Sequence, residues 1–150
     1  MYERILIPTD GSDVAEVAVE HALDLAERYD AEVHALYVVD TDAVAYGLGS
    51  EQVDRLRQGN FEGMTELREA AEEATGYVRE RADERGLTVI EHTSGGRPHK
   101  MIAEYAEDND VDLVVMGSHG RAGVRRALLG SVTERTLRST DVPVLVVDAR

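Results

Sequence analysis

The chain has 150 residues, a formal net charge of −14 and no cysteine, which excludes disulfides, thiolate metal sites and thiol catalysis and sets long-range repulsion against a nucleic-acid backbone or an anionic membrane. No apolar run reaches the about 18 to 20 residues that span a bilayer, and the first residues enter a strand-like segment with no signal-peptide pattern. A soluble cytoplasmic protein of one domain, residues 1–150, is therefore expected.

Ile5 to Pro8 is a short apolar run without alternation, the mark of a strand covered on both faces. Its end, Pro8-Thr9-Asp10-Gly11-Ser12, places a carboxylate just before a helix over residues 13–29, in which Ala15, Ala18, Ala22, Leu25 and Ala26 share one face. Val33 to Val39 reads as a second strand. Residues 41–60, with Gly47, Gly49 and Gly59 among polar residues, break the pattern and are expected to form a mobile, part-helical excursion. It is a lid or partner surface on one reading and a tolerated surface insertion on the other. A second helix runs from Phe61 through Met64, Leu67, Ala71, Ala74, Val78 and Ala82 toward Gly86. Leu87 to Glu91 is a weaker strand. Pro98 suits the first turn of a third helix through Ile102 and Ala106. Val111 to Met116 is a buried strand, Thr133 to Leu137 continue a fourth helix, and Val144 to Val147 form the last strand. Unalternating strands interleaved with helices imply a parallel, doubly wound α/β sheet with right-handed crossovers. Ligands of such sheets sit beyond the carboxyl ends of the strands, where the winding reverses.

Two segments meet those requirements chemically. Asp10 suits hydrogen bonds from a ribose or a base amine, or a supporting role toward a metal; alternatively it anchors its turn while Ser12 or Asp13 caps the helix. In Met116-Gly117-Ser118-His119-Gly120, glycines let a ligand approach the main chain, and Ser118 and Arg121 add a hydroxyl and a cation. Gly130-Ser131 then opens a helix, so free N–H groups converge where a phosphate fits. Ser131 and Glu134 also spell an S-x-x-E capping box. Other signatures are missing. The only lysine, Lys100, follows His99, so there is no Walker loop; no G-x-G-x-x-G follows the first strand, and there is no G-x-S-x-G elbow. His21, His34, His92, His99 and His119 have no metal-ligand spacing, and only His119 lies in a glycine loop. No catalytic constellation stands out. Surplus acid with scarce lysine matches proteins of salt-loaded cytoplasm; an acidic protein from a GC-rich genome looks the same.

These residues together resemble the universal stress protein family, in its ATP-binding branch. The resemblance spans the chain: Ile5-Leu6-Ile7-Pro8-Thr9-Asp10-Gly11-Ser12, Val38-Val39-Asp40, Gly95 to Pro98, and above all a G-x2-G-x9-G-S/T signature in Gly117, Gly120, Gly130 and Ser131, followed by Val142-Pro143-Val144-Leu145-Val146-Val147. It implies a single five-stranded parallel sheet of order 3-2-1-4-5 with helices on both faces, Rossmann-like and similar to the adenine nucleotide alpha hydrolases. It further implies ATP, ADP or AMP as ligand. Pro8, Thr9 and Asp10 would meet the adenosine from one side with Val38 against the adenine, and Met116 and Gly117 would face it from the other. Gly120, Arg121, Gly130, Ser131, Val132 and Thr133 would hold ribose and phosphates, with His119 in the same loop. Mg2+ or Mn2+ would be held largely by the phosphates. The implied function is a nucleotide-dependent stress-response switch. The alternatives are a slow ATPase or adenylate hydrolase using the same pocket, and a nucleotide-free, chaperone-like interaction module. The last strand also has a reading of its own. Val144, Leu145, Val146 and Val147 are apolar on both faces of an edge, which invites pairing with another chain, and the family forms dimers there.

Overall fold

In a computed structural model, residues 1–44, 49–58, 64–120 and 129–148 are described, without the side chains of residues 43, 44, 53 and 56. The strands are β1 (Arg4–Pro8), β2 (Glu32–Asp40), β3 (Val89–Gly96), β4 (Leu113–Gly117) and β5 (Val144–Val147). They form one sheet of order β3-β2-β1-β4-β5, every adjacent pair parallel. The helices are α1 (Asp13–Tyr29), α2 (Thr41–Val44), α3 (Ser50–Arg57), α4 (Thr65–Asp83), α5 (Pro98–Asp108) and α6 (Ser131–Ser139). The expected doubly wound architecture and strand order are both present.

Each central strand buries side chains on two faces, which is why its sequence does not alternate. Ile5 and Ile7 of β1 pack with Val33, Ala35 and Val115 against Val19 and Leu23 of α1 and Val78 of α4. Leu6 points the other way, with Leu36, Val114 and Met116, toward Ile102 and Ala106 of α5 and Val132 of α6. Ile5, Leu6, Ile7, Val19, Leu23 and Val33 are completely removed from solvent, each worth roughly 1.5–3 kcal/mol of burial. Small residues on α1, Ala18, Ala22 and Ala26, let that helix lie close on the sheet.

The edges depart from expectation. β3 begins two residues later than its apolar run and continues through Ser94 to Gly96, pairing with β2 from Val33 to Asp40. Its burial is partial, with Glu91 and His92 exposed, and an edge strand of this kind hides from hydrophobic pattern. Residues 41–60 contain two helices, α2 and α3, with residues 45–48, 59 and 60 outside the described part. The second expected helix starts at Thr65, and its expected first turn at residues 61–63 also lies outside it.

The fourth helix corrects the capping-box reading. Gly130 is the N-cap and Ser131 the first helical residue, with no side-chain cap bond. Glu134 turns instead to Arg138, 3.1 Å away on the solvent face. Gly130 holds the cap position with an extended backbone and a carbonyl that accepts from Glu134 N–H at 3.0 Å, while its own N–H is bound outside the helix to Ser118 O at 2.7 Å.

Candidate functional site

A cavity of about 500 Å3 opens beyond the carboxyl ends of β1, β2 and β4. β1 has β2 on one side and β4 on the other, so the cavity sits where the winding reverses. Its volume lies within the range of about 300–1,000 Å3 usual for small-molecule sites.

From β1 come Pro8, Thr9 and Asp10. Thr9 N–H donates to Leu36 O at 2.9 Å, locking the β1 turn to β2. Thr9 Oγ1 accepts from Gly11 N–H at 3.1 Å and Asp10 Oδ1 from Ser12 N–H at 3.0 Å. Gly11 adopts φ 77°, the left-handed region that a glycine enters without penalty. Ser12 Oγ then caps α1 by accepting from Ala15 N–H at 3.2 Å. Asp10 therefore does anchor its turn, and it also reaches the glycine loop: a Cβ at Gly120 would collide with Asp10 Oδ2. The turn-anchoring reading of Asp10 is observed, and the residue also lines the cavity.

From β4 and its loop come Met116, Gly117, His119 and Gly120, and from the start of α6 come Gly130, Ser131, Val132 and Thr133. Long-range bonds hold the two pieces together. Ser118 N–H donates to Val147 O at 2.8 Å, and Thr133 Oγ1, in a residue 2% exposed, donates to Gly117 O at 2.8 Å. Gly130 packs so tightly on the loop that a Cβ would stand 2.9 Å from His119 Cα. The convergence of amides is narrower than expected, since the Gly130 N–H is spent on Ser118. The remaining amides of the first turn, at Ser131, Val132 and Thr133, have no acceptor within the helix by its own geometry. The positive end of the α6 dipole lies at the same place. Ser118 also differs from expectation. It is 7% exposed, and its hydroxyl donates to Asp148 Oδ1 at 2.9 Å instead of lining the cavity.

Val38 lines the cavity as expected, together with Leu36 on the same face of β2 and with Pro98 and Ile102, one turn apart on α5. Tyr37, Val39 and Asp40 complete the β2 wall, and Ala15 and Leu67 close it from the α1 and α4 side. These eight neighbours of the predicted residues, Ala15, Leu36, Tyr37, Val39, Asp40, Leu67, Pro98 and Ile102, had one readable signal. Residues 36 and 38 share a strand face by the period of two. Arg121 lies outside the described residues.

Among the described residues no group of three or more His, Cys, Asp or Glu side chains is arranged to hold a metal ion. The histidine outside the site with the fullest set of partners is His34. It is buried, with Nδ1 2.7 Å from Tyr105 Oη and Nε2 2.7 Å from Glu32 Oε1. Burial, and then the nearby Glu32 charge, raise the Tyr105 hydroxyl above the ordinary tyrosine pKa. No described helix is long and apolar enough to cross a membrane.

Comparison with known proteins adds sequence and fold. The model of the Universal stress protein family matches residues 1–148. Universal stress protein MJ0531 of Methanocaldococcus jannaschii is 43% identical over 148 residues, covering 98% of this chain and 82% of the relative. MJ0577 of the same organism is 34% identical over 154 residues, covering 98% of this chain and 95% of the relative. Its solved structure superposes with a TM-score of 0.79, covering 100% of this chain and 98% of that one. A universal stress protein solved in complex with cAMP, 24% identical and covering 98% and 97% of the two chains, shares the fold with a TM-score of 0.64. By sequence over its length and by fold, this chain belongs to the universal stress protein family.

Proposed function

We propose that the chain binds an adenine nucleotide, ATP in the first instance, in the cavity at the carboxyl end of its sheet and acts as a nucleotide-dependent switch in the cytoplasm. The observation that supports this most directly is the convergence of the β1 turn, the 117–120 loop and the first turn of α6 on one cavity of about 500 Å3. The cavity has two kinds of wall. Leu36, Val38, Ile102 and Met116 offer an apolar seat for a base. Ser131, Val132 and Thr133 offer first-turn amides and the helix dipole to phosphates. Thr9, Asp10, Gly117, His119 and Gly120 lie around the cavity with these groups and meet the ribose and the adjoining atoms. Mg2+ or Mn2+ would travel with the phosphates and supply charge neutralisation. The proposal concerns binding, with turnover left to a partner that completes the site.

The same reading includes a two-fold homodimer through β5. That strand pairs only with β4 among the described residues, and Leu145 is 37% exposed on it. An apolar strand with an open edge pairs readily with a copy of itself. Sedimentation at micromolar protein is expected to give the dimer mass, and a stable monomer overturns this part.

The ligand is tested by mass spectrometry of the extract from purified protein and by calorimetric titration with Mg-ATP, ADP and AMP. An adenine nucleotide in the extract, or saturable binding, is expected. No nucleotide in the extract and no heat at millimolar ATP overturn the proposal.

A further inference from the structure

Asp148 follows the last strand and lies outside the cavity wall, yet it reaches the site through Ser118. His119 lines the cavity, and its Nδ1 is 3.1 Å from Ser118 Oγ. The Ser118 hydroxyl carries one proton, and it donates that proton to Asp148 Oδ1 at 2.9 Å. An ionised carboxylate only accepts. Ser118 Oγ therefore meets Nδ1 as an acceptor, which puts the ring proton on Nδ1 and leaves Nε2 with a lone pair. Ser118 has little freedom to undo this. Its N–H is bound to Val147 O at 2.8 Å, its carbonyl to Gly130 N–H at 2.7 Å, and its side chain is buried.

We propose that Asp148 is a positioning residue: acting through Ser118, it holds His119 as the Nδ1–H tautomer, so that Nε2 meets a ligand hydroxyl or amino group as an acceptor. The proposal rests on the nucleotide reading of the cavity for its ligand, and on the three side chains alone for the tautomer. A nucleotide presents both kinds of group, donors on ribose and adenine and acceptors on phosphate. A bare Nε2 favours the donors and repels a phosphate oxygen. An unrestrained histidine in water prefers the opposite tautomer, so the arrangement has a direct signature.

The test uses the full chain with nitrogen-labelled histidine at about pH 8, above the ordinary histidine range. Long-range proton–nitrogen spectra read each tautomer, with His119 assigned from His119→Gln. Wild type is expected to show Nδ1–H. Asp148→Ala frees the Ser118 hydroxyl to donate to the ring, and His119 turns to Nε2–H. Asp148→Asn keeps an acceptor oxygen and restores Nδ1–H, and Ser118→Ala loses the lock by a second route. In calorimetry, Asp148→Ala weakens Mg-ATP binding by about two- to tenfold, the worth of one hydrogen bond, and Asp148→Asn recovers it. An Nε2–H tautomer in wild type, or the same tautomer in wild type and Asp148→Ala, overturns the proposal. A switched tautomer with unchanged affinity overturns the ligand role. Absence of ATP binding to wild type refutes the nucleotide reading instead, and the tautomers still decide the part played by Asp148.

Discussion

Replacing Gly130 by alanine separates crowding from backbone conformation. Gly130 has φ −65° and ψ 156°, an extended geometry open to any residue, so alanine meets no torsional penalty there. Stiffening the unfolded chain would even favour alanine by about 0.4–1 kcal/mol. Against this, the new Cβ would stand 2.9 Å from His119 Cα, 3.3 Å from His119 Cβ and 3.4 Å from Ser118 O. The first contact is too short for two carbons, and the neighbour is backbone held by long-range hydrogen bonds. Such overpacking costs about 1–3 kcal/mol, so the net expectation is a loss of about 1–2 kcal/mol. At roughly 2–4 °C per kcal/mol for a chain of this size, the melting temperature falls by about 2–8 °C. The loop carrying His119 moves, and Mg-ATP binding weakens with it. Denaturant unfolding with an unchanged m-value measures the first effect and calorimetry the second. Gly49→Ala is the control, since a Cβ there meets nothing within 4 Å; it is expected to be neutral or slightly stabilising. Gly130→Ala as stable as wild type, with undiminished affinity, refutes the crowding argument. Gly130→Val meets the same first clash, with the His119 backbone.

Thr133→Val keeps shape and removes the donor to Gly117 O, and chemical denaturation is expected to show a loss of about 1–3 kcal/mol; a neutral result means the strut is dispensable. Tyr105→Phe leaves His34 Nδ1 buried without its 2.7 Å partner, for a loss of about 1–3 kcal/mol, and a melting temperature equal to wild type contradicts this. Because the Tyr105 hydroxyl is raised by burial and by Glu32, the folded state retains its proton longer than the unfolded chain. That stabilisation is present below the ordinary tyrosine pKa and is lost as pH rises through the folded value. Alkaline unfolding followed by tyrosinate absorbance is expected to lose one late-titrating group in Tyr105→Phe. Finally, the charge of −14 repels itself more than exposed pairs such as Arg28–Asp24 and Arg138–Glu134 compensate. Added salt is expected to raise the melting temperature, and a flat or falling response removes this argument.

Much of the architecture was legible because its central strands are read by the same physics. Ile5 to Ile7 and Leu113 to Val115 sit between two helical layers and cannot alternate. β3 was legible only at its start, because an edge strand with Glu91 and His92 in solvent has no apolar signature in that stretch. At the site, glycine spacing marked where backbones approach, and proximity in the chain marked Thr9 and Asp10. Partners far apart in sequence stayed hidden. Nothing local in Ser131 and Glu134 announces that Ser118 O has already claimed the Gly130 N–H, and nothing near Ser118 announces Asp148, 30 residues further along the chain. Local motifs name candidates, and long-range hydrogen bonds assign their jobs.

The bond from Ser118 N–H to Val147 O joins the glycine loop to the final residue of β5. Whatever adds a strand to the open side of β5 therefore grips the same segment that steadies the loop. Under the proposed pairing through β5, assembly and occupancy of the cavity would share a mechanical element, and any preference one has for a loop arrangement would be returned by the other in equal measure. Cooperativity of this kind requires no movement of the sheet, only a change in how firmly a single carbonyl is held.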